Sequence, residues 1–232
     1  ITMKRSIAPL FATILLLAVG SACLLAAEEI RDLKPFSGIG IGIHADVYYV
    51  SGNSHEITIQ GDDKDVKDLI TEVKDGYLKL KYDNWKTKRS KLTIYITSKE
   101  LEKVSMSGSG KFKAEKPVRA EEMMVALSGS GMIFFAELNA EEVDVKISGS
   151  GNAILEKGQA EEMDVKISGS GKLQAERFEV EEFSVAISGS GGCKITVEEE
   201  LKSRISGSGS VHYHGNPQLD VVSSGSGKVR SL

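Results

Sequence analysis

Cysteine is almost absent from this 232-residue sequence, and positive charge is in short supply. There are two cysteines in all. Cys23 sits in an apolar N-terminal run, so Cys193 alone remains in the body. A single cysteine forms no internal disulfide, and the domain must be held by its core. An exported chain avoids a loose surface thiol, which places Cys193 inside. Lysine and arginine number 29 against 33 aspartates and glutamates, a net charge of −4. That balance leaves no footprint for nucleic acid. Also missing is any isolated catalytic constellation that breaks the pattern described below. Glycine, by contrast, is abundant at 24 residues, and its placement organises the chain.

The first 27 residues read as an export signal. Lys4 and Arg5 form a basic start, and an apolar run follows from Ile7 to Ala27. Met3 is read as the initiator. Two processing sites are present. A cut after Leu25-Ala26-Ala27 leaves Glu28 as the new N-terminus. Gly20-Ser21-Ala22-Cys23 resembles a bacterial lipoprotein box with Cys23 as the lipidated residue, although Gly20 stands where leucine is usual. Uncleaved, the run is long enough to span a bilayer. Without residues 1–27 the chain carries 27 Lys and Arg against 33 Asp and Glu, a net charge of −6.

Ser-Gly-Ser-Gly begins at Ser107, Ser128, Ser148, Ser168, Ser188, Ser206 and Ser224, at spacings of 18 to 21 residues. A fixed period of this size marks a repeat architecture. A flexible linker is excluded because each tetrapeptide is flanked by alternating sequence. Before it, Val143, Val145 and Ile147 alternate with Asp144 and Lys146, and Met163, Val165 and Ile167 with Asp164 and Lys166. After it, Phe112, Ile133, Ala153, Leu173, Cys193, Val211 and Val229 occupy one equivalent position, all apolar. This is the period of two expected of strands with one buried face. A unit of about 20 residues buries its apolar side only by stacking on copies of itself. The expected fold is all-β: a single-stranded parallel β-helix, or β-solenoid, with rungs of 18–21 residues. Two strands per rung are joined by a Ser-Gly-Ser-Gly corner and a Glu-Glu corner. Glycine permits the sharp turn, and the serine hydroxyls are expected to satisfy backbone groups or the serine of the next rung.

Residues 28–106 lack the tetrapeptide and are read as irregular first rungs or an N-terminal cap, with the repeat β-helix over 107–232. Strand-like runs occupy Ile39–Val50, Glu56–Gln60, Tyr77–Tyr82 and Leu92–Thr97. Asp63 to Val73 is expected to form a short helix with Val66, Leu69, Ile70 and Val73 on one face, followed by a turn at Lys74-Asp75-Gly76.

Three motifs in order carry a resemblance: "FSGIGIGIHADVYYVSG" (Phe36–Gly52), "TEVKDGYLKLKY" (Thr71–Tyr82) and the "ISGSG" series. Together they are similar to the putative autotransporter adhesin head family, or head GIN domain, over Ile30 to Leu232. The resemblance implies adhesion at the bacterial surface and supplies no catalytic residues. The Ser-Gly rungs run to the end of the sequence, and no autotransporter barrel is expected among these residues.

The stacked Glu pairs, represented by Glu141, Glu161 and Glu181, would place like charges about 5 Å apart, a repulsion a divalent cation relieves; water and neighbouring lysines relieve it too. His212 and His214 share one side of a strand at a spacing that suits zinc or copper, with no carboxylate or cysteine column beside them. The basic segment around Trp85 supplies ligand-contact candidates Tyr82, Trp85, Lys86, Lys88 and Arg89, with a solvated hairpin tip as the plain reading. Tyr48, Tyr49 and Phe134 are further exposed aromatic candidates. The reading is a non-enzymatic, exported cell-envelope protein of adhesin type that needs no cofactor. It presents a rigid repetitive face to an unknown glycan or protein at the cell surface. The membrane is contacted only through the signal or a lipid on Cys23, and the end strands permit an edge-to-edge dimer. The expected location is the outer surface or periplasm of a Gram-negative bacterium. A periplasmic or lipid-anchored scaffold without a host ligand is the alternative reading, and a carbohydrate-active β-helix enzyme the more distant one.

Overall fold

A computed structural model describes residues 27–83 and 88–232; the export signal and Cys23 lie outside them, apart from Ala27. The chain is a β-solenoid built as one continuous sheet. In the repeat, each rung has three sides. The first face carries the strands that end in Ser-Gly-Ser-Gly, such as Glu142–Gly149, and the second face the strands that follow, such as Asn152–Leu155. The third is short: Val118–Arg119 pairs in parallel with Leu138–Asn139, which pairs with Gly158 and Gln159. Two strands per rung were expected from sequence. The third side escapes because two residues are too few to show an alternation.

Before the repeat the strands are β1 (Ala27–Asp32), β2 (Gly38–Ile41), β3 (Ala45–Ser51) and β4 (Glu56–Gly61), then helix α1 (Asp63–Asp68). After it come β5 (Ile70–Lys74), β6 (Tyr77–Lys81), β7 (Leu92–Ser98), β8 (Lys103–Gly108) and β9 (Lys111–Ala114). The expected helix is shorter than read: Leu69 leaves helical backbone, and Ile70 to Lys74 form a hairpin with β6. Asp75 and Gly76, at φ of 51° and 72°, make the turn, the conformation a two-residue hairpin requires. The interrupted run Ile39–Val50 is two strands, one on each face.

Rungs are not stacked in chain order here. On the first face β2 lies between β6 and β8, and on the second face β3 lies between β7 and β9. The chain lays down an inner rung, runs outward, adds the outermost rung β6–β7, and returns past it. The return segment is fixed by buried Leu101 and by the Glu102 amide donating to the Ser37 carbonyl at 2.8 Å. The outer edge is closed by antiparallel strands, β5 on β6, β4 on β7 and β1 on β4. Reversing strand direction there ends the parallel stack and covers its edge. Two sequence motifs meet at this point. A β-carbon on Gly40 would lie 2.6 Å from the Tyr77 hydroxyl, so Gly38 and Gly40 clear the space in which the Tyr77 ring lies across β2.

The core is a set of aligned columns. Val125, Val145, Val165 and Val185 stack in register, as do Leu127, Ile147, Ile167, Ile187 and Ile205, all buried. On the second face large and small residues trade places: Phe112 beside Ala114, Ile133 beside Phe135, Ala153 beside Leu155, Cys193 beside Ile195. Volume per rung is kept while neighbours interdigitate. Cys193 is buried as the sequence required. Ser203 replaces valine in its column between Val185 and Val221; it is fully buried, and its Oγ has no partner.

Both glycines of each corner are dictated by the rung below. Gly169 has φ of 109°, and its β-carbon would lie 2.6 Å from the Gly149 carbonyl oxygen. That oxygen accepts from the Ser170 amide at 2.9 Å. The second glycine faces the aliphatic column: a β-carbon on Gly151 would meet Leu127 at 2.6 Å. The ladder therefore turns the corner through backbone amides. Contrary to expectation, no corner-serine hydroxyl makes a hydrogen bond among the described residues.

Two stability changes follow. Gly169→Ala combines a disfavoured φ with a backbone clash and should cost about 3 kcal/mol in urea unfolding, whereas Ser168→Ala should be near neutral. Ser203→Val removes a buried unpaired hydroxyl and completes the valine column. It should add about 1 kcal/mol, a rise of about 2–4 °C in Tm by calorimetry.

Candidate functional site

The Glu pairs gather at one corner of the solenoid. The Glu corner, between the third and first faces, stacks Glu121-Glu122, Glu141-Glu142 and Glu161-Glu162, with the Glu141 amide donating to the Glu121 carbonyl at 2.9 Å. The serine corner, between the first and second faces, is bordered by cations on both sides. On the first face the outward position two residues before the corner serine is Ser105, Ala126, Lys146, Lys166, Ala186, Arg204 and Val222 in successive rungs. On the second face the outward position just past the corner is Lys111, Met132, Asn152, Lys172, Gly192, Ser210 and Lys228.

A groove of about 700 Å³ runs along the first face beside this corner, from Ser105 to Val222. One wall is the column of corner serines, the other the Ala and Lys column, and the floor is the strand at Leu127, Ile147, Ile167, Ile187 and Ile205. Those side chains point inward, so the groove is a trough in the pleat and runs along the stacking direction. Arg204 is held by Asp220 at 2.7 Å, which depresses the Asp220 carboxyl through that hydrogen bond, and Lys146 lies 3.5 Å from Asp144. Lys166, Lys172, Lys111, Lys228 and Arg230 make no ion pair among the described residues.

A second surface feature lies farther out on the second face. Tyr48 and Tyr95 stack at 5.4 Å with 20° between rings, next in column to Lys113, Phe134 and Ile154. Tyr95 is 45% exposed and was not singled out from sequence, although its place opposite Tyr48 follows once β3 and β7 are paired. Tyr49, read as exposed, is buried: the alternation of β3 sends Ala45, Val47 and Tyr49 inward, and the Tyr49 hydroxyl accepts from Ser98 Oγ at 3.2 Å.

The other sequence candidates are placed as follows. Trp85 and Lys86 lie outside the described residues. Arg89 donates to Asp65 Oδ1 at 2.9 Å and Asp68 Oδ2 at 2.6 Å, and lies 4.4 Å over the Tyr82 ring. The Tyr82 hydroxyl donates to the Asp65 carbonyl at 3.2 Å, and burial pushes its pKa up to about 12. Asp65 also accepts from the Ser90 amide at 2.7 Å. This cluster ties the segment before β7 to α1. Lys88 is exposed. His212 is half-buried and His214 exposed on one strand, and Glu141, Glu161 and Glu181 line a trough on the third face. Among the described residues no three His, Cys, Asp or Glu side chains converge as metal ligands. Burial raises the Cys193 thiol far above its ordinary range, so it is no nucleophile.

The family model "Putative auto-transporter adhesin, head GIN domain" matches residues 35–217. The chain belongs to this family. Solved structures share the solenoid. A putative adhesin from Bacteroides fragilis is 24% identical, with a TM-score of 0.84 over 89% of this chain and 97% of its own. One from Parabacteroides merdae is 23% identical, TM-score 0.73, over 90% and 96%. A putative lipid binding protein from Parabacteroides distasonis is 23% identical, TM-score 0.69, over 88% and 96%. At these identities the likeness to solved structures speaks for the fold. No curated protein matches the chain. In this head GIN domain the three motifs of the sequence are the inner rung, the outermost rung with its hairpin, and the glycine corner.

The Asp65 cluster is testable by itself. Asp65→Ala strands the Ser90 amide and leaves the Arg89 guanidinium with Asp68 as its one carboxylate partner, and should cost about 2 kcal/mol in urea unfolding while leaving the groove surface unchanged.

Proposed function

We propose that the chain is a non-enzymatic, exported binding module of the bacterial cell envelope, of the adhesin type its family is named for. What carries this reading is the groove beside the serine corner: its serine wall and its Leu/Ile floor repeat on successive rungs over most of the stack. A catalytic centre requires a unique constellation, whereas a rigid periodic trough suits a partner that is itself extended. The basic start and apolar run of residues 1–27 support export. The last rung, Gln218–Gly225 and Lys228–Ser231, leaves its outer edge unpaired, with Leu219 and Val221 52% and 41% exposed. A second copy would pair there, edge to edge.

The test is protease shaving of intact cells, read with an antibody against residues 28–232. Removal of the protein while a periplasmic marker survives is the expected result. Survival until the outer membrane is opened would replace the adhesin by a periplasmic or lipid-anchored scaffold.

A further inference from the structure

The glycines of the repeated corner are accounted for by stacking, but the cations beside it are not. The protein is acidic overall, yet its Glu pairs are gathered at the opposite corner; Lys166 lines the groove two residues after Asp164, and Lys172 and Lys228 stand across the serine corner on the second face. None of these three is neutralised by an ion pair among the described residues. Lys172 and Lys228 gain nothing from the stack, since their partners in register are asparagine, glycine and serine, and Lys166 stands between Ala186 and a like charge, Lys146, which repels it. A cationic ridge on an acidic protein concentrates an anionic partner against one side and repels it from the other.

The shape of the groove narrows the class further. It is straight, shallow and open along its length, and its lining recurs at the strand spacing of about 4.8 Å. A compact ligand would use one or two rungs and gain nothing from the remainder. An extended polysaccharide advances by nearly this distance per sugar, so successive rungs can lie against the apolar faces of successive sugars while the lysines at the borders meet acidic groups. A bilayer fits less well, because the floor is recessed between two walls and the exposed aromatic pair Tyr48–Tyr95 lies away from the groove on the second face.

Resting on the binding-module reading, we infer that the groove along the serine corner holds a linear acidic polysaccharide, with Lys166, Lys172 and Lys228 meeting its anionic groups.

Purified residues 27–232, which carry the hydrophobic core of the described residues, are run by affinity electrophoresis in gels containing polygalacturonate, a sulfated polysaccharide or neutral dextran, and are sedimented with vesicles of phosphatidylcholine alone or with phosphatidylglycerol. Retardation by one or both acidic polymers and not by dextran is expected; the two acidic gels distinguish carboxylated from sulfated sources. Retardation should weaken with salt, as screened charge contacts do. Lys166→Glu/Lys172→Glu should weaken it roughly tenfold, while Lys64→Glu/Lys99→Glu, with the same change in net charge at the capped end, should not. Circular dichroism melting confirms that both variants fold. Equal loss in the two double variants, equal retardation by dextran, no retardation by either acidic polymer, or stronger binding to anionic vesicles each overturns the inference. Because the assay uses purified protein, its failure leaves the cell-surface reading to be decided separately by shaving.

Discussion

A glycine carbonyl on one rung accepts from a serine amide on the next, at 2.9 Å through most of the repeat, and the spacing of the whole solenoid follows from that contact. It keeps the ladder running where the chain turns most sharply, and so satisfies the serine amide and glycine carbonyl at the corner. It also forbids a side chain on either glycine: one would strike the carbonyl below, the other the aliphatic column. Once the corner is fixed, the strands on both sides are in register, and identical positions stack as columns.

Columns are what make a low-aromatic sequence sufficient. Each rung buries only a few medium-sized side chains, but every buried residue has the same kind of neighbour above and below. Volume is conserved within the rung, so that Cys193 stands beside Ile195 and Phe112 beside Ala114. Ser203 is the exception that shows the rule, a hydroxyl in a valine column with nothing to bond. The N-terminal end meets a different demand. A parallel stack left open exposes both its core and its edge, and here the edge strands reverse direction and close it. The Asp65–Arg89 cluster anchors this cap, and its charges belong to the structure of the cap.

The same periodicity arranges the surface. Because outward positions also stack, any bias in a repeat position becomes a stripe. Glutamates become an anionic corner, the positions around the serine corner a groove with lysine borders, and five strands of the second face a run of Tyr95, Tyr48, Lys113, Phe134 and Ile154. No single residue makes the site; the repeat does, and its length sets how much of an extended partner can be held.

The sequence by itself determined the rung, because the corner and the alternation repeat in its letters: period two names the inward residues, and the fixed interval names the stack. It also placed Cys193, by its equivalence to Leu173 and Val211. It did not determine the order of the first rungs, since the insertion of β2–β3 between neighbours that come later in the chain leaves no periodic mark. Nor did it give the two-residue third side, the inward turn of Tyr49 where two tyrosines stand together, or the internal use of Arg89. The groove is a property of residues one rung apart. Those residues are eighteen to twenty-one positions distant in the chain, and only their parallel pairing in register brings Lys146, Lys166, Arg204 and the serine column to one trough.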